Sequence, residues 1–107
     1  MKLIRDRIPE IASQNGATLR TRQALPRERW ALLKKKLLEE AKEMSETIDG
    51  TEAEVDELAD VLEVVDQLRA DIESSEPDKV LERFRQRRRD RGEVGFLVLL
   101  EPGDERG

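Results

Sequence analysis

A chain of 107 residues has room for one small domain, 1–107, and not for two. With 42% charged and 36% hydrophobic residues, and only Trp30, Phe84 and Phe96 as aromatics, its own core is thin. The absence of cysteine and histidine excludes disulfides, thiol nucleophiles, zinc-finger ligand sets and a histidine general base, leaving carboxylates, Lys, Arg, Ser and Thr for any chemistry.

The net charge of −5 hides strong segregation. Residues 39–78 are mostly acidic, whereas residues 83–91 carry six arginines. Such an acidic middle and basic end can meet across a polyanionic ligand and its metal. Met1 to Asp6 holds no apolar run of signal-peptide length, and no segment is apolar enough to span a bilayer. These features predict a cytoplasmic protein without a membrane partner. Long amphipathic helices over a thin core predict a homodimer or homotetramer that supplies the missing burial.

In chain order, Pro9 and Gly16 bracket a short helix over 9–15. The alternation of Ala17 to Gln23 gives a weak strand signal. Pro26 opens a long helix that ends near Ile48, before Asp49-Gly50. Thr51 with Glu54 fits a capping box, so the next helix starts there and runs to about Glu73. Ser75 with Asp78 fits another box, and Pro77 in a first turn suits a third long helix that enters the arginine cluster. Beyond Gly92 and Gly95, Phe96 to Leu100 reads as a short apolar strand, and Pro102 to Gly107 as a frayed tail. The expected fold class is therefore mainly all-α. An antiparallel helix pair and a further helix form a helical bundle on oligomerisation, with short strands near the N- and C-termini.

Counting about 100° per residue assigns the helix faces. In the first long helix Trp30, Leu33, Leu37, Ala41, Met44 and Ile48 form one stripe. Glu40 borders it, Glu43 lies one step further round, and Glu39 further still. Glu40 and Glu43 are three apart, close enough to reach one ion, and Glu39 with Glu43 offers a second pairing. In the next helix Val55, Leu58, Leu62 and Val65 form the main stripe, which Val61 and Val64 widen. Glu57 and Asp60 lie on that widened side and are expected to be partly enclosed. Enclosed carboxylates beside Glu40 and Glu43 would suffer both desolvation and like-charge repulsion, which a divalent cation relieves. With only oxygen ligands on offer, the expected ion is Mg²⁺, or Mn²⁺. Against this, acidic residues three or four apart are common on solvated faces, and Lys34, Lys35, Lys36 or Lys42 can pair with some of them. Glu46, Asp49, Glu52, Glu54, Asp56, Glu63 and Asp66 read as ordinary solvated or capping residues.

Two basic groups flank the acidic middle. Lys2, Arg5 and Arg7 form one, and Arg83, Arg85, Arg87, Arg88, Arg89 and Arg91 the other. Arginine forks suit phosphate oxygens, which makes Lys2, Arg5, Arg87, Arg88 and Arg91 phosphate-binding candidates. The arginine run can equally be an exposed helix end complementing the helix dipole, and Arg5 can pair with Asp6. Nucleic acid is a weaker partner for that run, which is short, lacks interleaved aromatics and sits in an acidic protein.

Glu-Glu-x-x-Glu at Glu39, Glu40 and Glu43, followed after a turn by Glu-x-x-Asp at Glu57 and Asp60, resembles the all-α nucleoside triphosphate pyrophosphohydrolases. That superfamily includes MazG-like proteins, dimeric dUTPases and phosphoribosyl-ATP pyrophosphohydrolases. The opening Lys2-Leu3-Ile4-Arg5-Asp6-Arg7-Ile8-Pro9-Glu10-Ile11 resembles a compact, house-cleaning branch of phosphoribosyl-ATP pyrophosphohydrolase-like proteins. The resemblance covers nearly the whole chain. It implies cleavage of a nucleoside triphosphate between the α and β phosphates, giving a nucleoside monophosphate and pyrophosphate. It further implies Glu40, Glu43, Glu57 and Asp60 as Mg²⁺ ligands, with Glu39 as a further ligand or the residue that orients the attacking water. The C-terminal turn, Arg91-Gly92-Glu93-Val94-Gly95-Phe96, departs from the Arg-Gly-Gly-Phe-like pattern of that branch by two residues between the glycines. The rival expectation is a non-catalytic helical dimerisation or regulatory module that keeps the fold.

Overall fold

The computed structural model describes residues 1–104 and contains four helices. They are α1 (Ile8–Gln14), α2 (Pro26–Ser45), α3 (Glu52–Ile72) and α4 (Lys79–Arg91). Local chemistry sets most of their ends. Gly16, at φ 83°, takes the left-handed turn that closes the short N-terminal helix, a conformation open to glycine at little cost. Pro26 occupies the first turn of α2, and the Glu28 carboxylate accepts a hydrogen bond from the Leu25 N–H at 3.3 Å. At α3 the Thr51 hydroxyl accepts from the Glu54 N–H, while the Glu54 carboxylate reaches back to the Gly50 N–H at 3.1 Å. The expected box is thus present, with its return bond shifted by one residue.

Two expectations about elements are corrected. No strand forms among the described residues, either over 17–23 or over 96–100. Alternating or apolar residues make a strand only where a neighbouring ladder takes up their backbone groups, and neither segment has one. The helix after Pro77 also starts later than the Ser75–Asp78 pattern implies. Asp78 sits at φ 62° instead of serving as a box residue, and α4 begins at Lys79. Pro77 disfavours helical geometry at Glu76, and a short polar side chain such as Asp78 tolerates the left-handed turn that follows.

The 46–51 turn folds α3 back along α2 as an antiparallel hairpin. Arg29, near the start of α2, donates to both Asp71 carboxylate oxygens and to Gln67 near the end of α3. Leu33 and Val64, each 3% exposed, form the buried centre between the helices. Leu37, Ala41, Met44 and Val61 are half-buried around them. Ile48 and Trp30, placed in the α2 stripe by face counting, are exposed, and the Trp30 ring lies 5.9 Å from the Lys34 ammonium. On α3 the face turned to α2 is the Val61 and Val64 side. Val55, Leu58, Leu62 and Val65, the stripe expected to be the main one, face outward.

α4 packs against α3 alone, around Ile72, Val80 and Phe84, and α1 packs against none of the other helices. The chain is accordingly extended. Its radius of gyration is 18.5 Å, against about 13 Å for a compact chain of this length. It exposes 9658 Å² where a folded monomer of this mass exposes roughly 6,100 Å².

Candidate metal centre

The hairpin brings two short helical faces together beside its buried centre. On α2, Glu40 stands seven residues after Leu33 and three after Leu37, which puts it on the packed side of the helix. On α3, Glu57, Asp60 and Val61 precede Val64 by seven, four and three residues, which places them on one face. Glu40, Glu57 and Asp60 are all half-buried, and one carboxylate oxygen of each lies within 4.8 Å of the others. Of the five acidic residues singled out from sequence, these are the three that converge. Glu39 and Glu43 are exposed and outside this group.

Two carboxylates of the group already have a basic neighbour. Lys36 lies 3.5 Å from Glu40 Oε1, one helical turn away, and Arg5 Nη2 donates to Asp60 Oδ1 at 2.7 Å. The second oxygens of Glu40 and Glu57, both Oε2, are shielded from solvent and have no hydrogen-bond partner. A buried carboxylate oxygen left unpaired is costly, and it remains so unless a proton or a cation reaches it. Burial first, and then the Glu43, Asp60 and Glu40 carboxylates, push the Glu57 carboxyl above its ordinary range. An all-oxygen set of this kind, two of whose members carry a shielded oxygen without a partner, fits a hard metal ion.

The basic candidates divide. Arg5 comes to the carboxylates, pairing with Asp60 and not with its neighbour Asp6. The arginines of α4 do not. Arg83, Arg87 and Arg91 line a shallow groove with Gln86 and Asp90, and no member of the carboxylate group borders it. Arg88 lies over the Phe84 ring at 4.7 Å and approaches Glu93 at 3.7 Å. α4 meets α3 at Ile72, twelve residues beyond Asp60, which is roughly 18 Å at the helical rise. Lys2 is exposed. Sequence reasoning missed the Arg5–Asp60 pair, which joins residues 55 positions apart and leaves no local signal. The Lys36–Glu40 pair was available from its i,i+4 spacing. It also missed Arg29, whose bonds to Asp71 and Gln67 close the open end of the hairpin that carries the site.

No family model, no curated protein and no solved structure matches the chain. No helix among the described residues is long and apolar enough to cross a membrane.

Proposed function

We propose that the chain is a Mg²⁺-dependent nucleoside triphosphate pyrophosphohydrolase of the cytoplasm, accepting Mn²⁺ as well, that cleaves between the α and β phosphates in nucleotide-pool house-cleaning. The observation that carries this reading is the convergence of Glu40, Glu57 and Asp60, with the shielded Oε2 atoms of Glu40 and Glu57 lacking any partner. The resemblance of the paired acidic motifs to the all-α pyrophosphohydrolases supplies the reaction type.

In this reading Glu40, Glu57 and Asp60 would hold the ion, and Glu43, whose carboxylate already acts on Glu57, would be the fourth ligand. When bound, the cation neutralises phosphate oxygens and lowers the pKa of water, the nucleophile that a chain lacking His and Cys cannot activate alone. Glu39, exposed one residue before Glu40, orients the attacking water. Arg5 supplies positive charge to the phosphates from the chain that carries the carboxylates. Lys2, Arg87, Arg88 and Arg91 are the further candidates for the phosphate chain.

The working unit is a homodimer or homotetramer. The chain's exposed surface exceeds that of a compact monomer by about 3,500 Å², several times the roughly 800 Å² that a standard interface takes from each partner. The outward stripe of Val55, Leu58, Leu62 and Val65 lies on the helix that carries two of the carboxylates, so a second copy seated there would complete a helical bundle around the site.

Incubating the protein with a panel of ordinary and modified nucleoside triphosphates plus Mg²⁺ tests the activity. Pyrophosphate and a nucleoside monophosphate are the expected first products, abolished in Glu40→Gln and Asp60→Asn. Orthophosphate as first product would refute cleavage between the α and β phosphates. Absence of turnover with every member would favour a non-catalytic helical dimerisation or regulatory module.

A further inference from the structure

The one side chain that ties the N-terminal segment to the carboxylate group is Arg5. Its guanidinium donates to Asp60 Oδ1 at 2.7 Å, and both side chains remain open to solvent, at 54% and 39% exposure. The segment that carries it leads into α1, which packs against none of the other helices. Arg5 is therefore a solvent-accessible cation placed on a residue that a divalent cation would also use. Two positive charges at one carboxylate repel each other, so Arg5 opposes the arrival of a bare metal ion. A phosphate on that ion reverses the sign, because its free oxygens carry negative charge that a planar guanidinium can meet with two parallel hydrogen bonds.

We propose that Arg5 couples metal and phosphate at this site: it competes with a bare divalent cation for Asp60, and it transfers its hydrogen bonds to the free oxygens of a phosphate carried by that cation. The proposal rests on the metal reading above and adds to it a positioning residue. Its consequence is cooperativity. Metal alone binds weakly, phosphate alone meets a cluster of carboxylates, and the two together gain the Arg5 contact that each lacks separately. By linkage, whatever factor phosphate adds to metal affinity, metal adds to phosphate affinity.

Calorimetric titration of the full chain and of Arg5→Gln with Mn²⁺ alone, and then with imidodiphosphate at saturating Mn²⁺, separates this from a merely structural ion pair. For a pair this exposed, Arg5→Gln should bind Mn²⁺ about two- to fivefold more tightly than the wild type. The same variant should bind imidodiphosphate about three- to tenfold more weakly in the presence of Mn²⁺, through the lost charged hydrogen bonds. Arg5→Lys keeps the charge but not the fork. It should leave Mn²⁺ affinity near that of the wild type while still weakening imidodiphosphate, and it provides the comparison if Arg5→Gln folds poorly. Unchanged or weaker Mn²⁺ binding in Arg5→Gln, or unchanged imidodiphosphate binding in both variants, would overturn the coupling while leaving the metal site intact. A wild type that binds no Mn²⁺ would overturn the metal reading and the coupling together.

Discussion

Adding Mg²⁺ or Mn²⁺ should raise the melting temperature of this protein, by an amount set by how its ligands are divided between helices. Glu40 belongs to α2, while Glu57 and Asp60 belong to α3, and their oxygens share a space of 4.8 Å only while the hairpin is closed. Unfolding separates the two helices and leaves at most a solvated pair of carboxylates three residues apart. Binding is then nearly exclusive to the folded state, and the stabilisation follows from mass action. At ten times the dissociation constant it amounts to about 1.4 kcal/mol, and at a hundred times to about 2.7 kcal/mol. A domain of this length shifts its midpoint by about 4 °C or more per kcal/mol, so the rise should be roughly 5 °C at the lower metal level and 10 °C at the higher. Circular dichroism melts at fixed protein concentration, from micromolar to millimolar metal, measure this directly. Glu40→Gln should remove most of the shift. Glu46→Gln deletes the same charge from an exposed position just beyond α2 and should leave the shift intact. An unchanged wild-type midpoint, or equal loss of response in the two variants, would reduce the effect to general screening of an acidic surface.

Two further outcomes follow from the same structure. Glu57 is held above its ordinary pKa of 4.5 by burial and by neighbouring carboxylates, so over that interval the folded chain binds more protons than the unfolded one. Its stabilising contribution is therefore complete below the ordinary value and lost as pH rises through the folded one. Without divalent metal, the wild type should lose stability relative to Glu57→Gln as pH is raised across this window, and Mn²⁺ should reverse the trend; parallel pH profiles of the two proteins would contradict it. Separately, Leu62 is 62% exposed and contributes little within one chain, so Leu62→Lys should turn an associating wild type into a monomer in sedimentation velocity. A wild type that is itself a stable monomer would sink the argument from exposed area.

What the sequence disclosed and what it withheld divide along the range of the forces involved. Helix spacing is a local rule, so Pro26, Gly50 and Thr51 marked the hairpin, and counting around the apolar stripes set Glu40, Glu43, Glu57 and Asp60 apart from their solvated neighbours; three of these four converge. The apolar arc of α3 was equally legible, but not which half of it α2 would cover. Val55, Leu58, Leu62 and Val65 are as apolar as Val61 and Val64, and periodicity carries no information about the neighbour. Glu43 shows the same limit at the site: three residues on from Glu40, it is exposed while Glu40 is half-buried, yet its carboxylate still reaches Glu57 closely enough to raise the Glu57 pKa. The strands expected at 17–23 and 96–100 failed because a strand is defined by its partner, and the chain offers neither segment one. Arg5 had Asp6 beside it and chose Asp60, a contact made by tertiary placement alone.

The six-residue turn between α2 and α3 also fixes when the carboxylate group comes into being. Glu40 and Asp60 are about 20 positions apart, so closing the loop between them costs little entropy, and contacts this local form early in folding. By the same measure the acidic cluster assembles before Arg5, 55 positions from Asp60, arrives to share the charge. Its mutual repulsion then falls on the closing of the hairpin, which gives a divalent ion a place in the kinetics of the chain as well as in its chemistry.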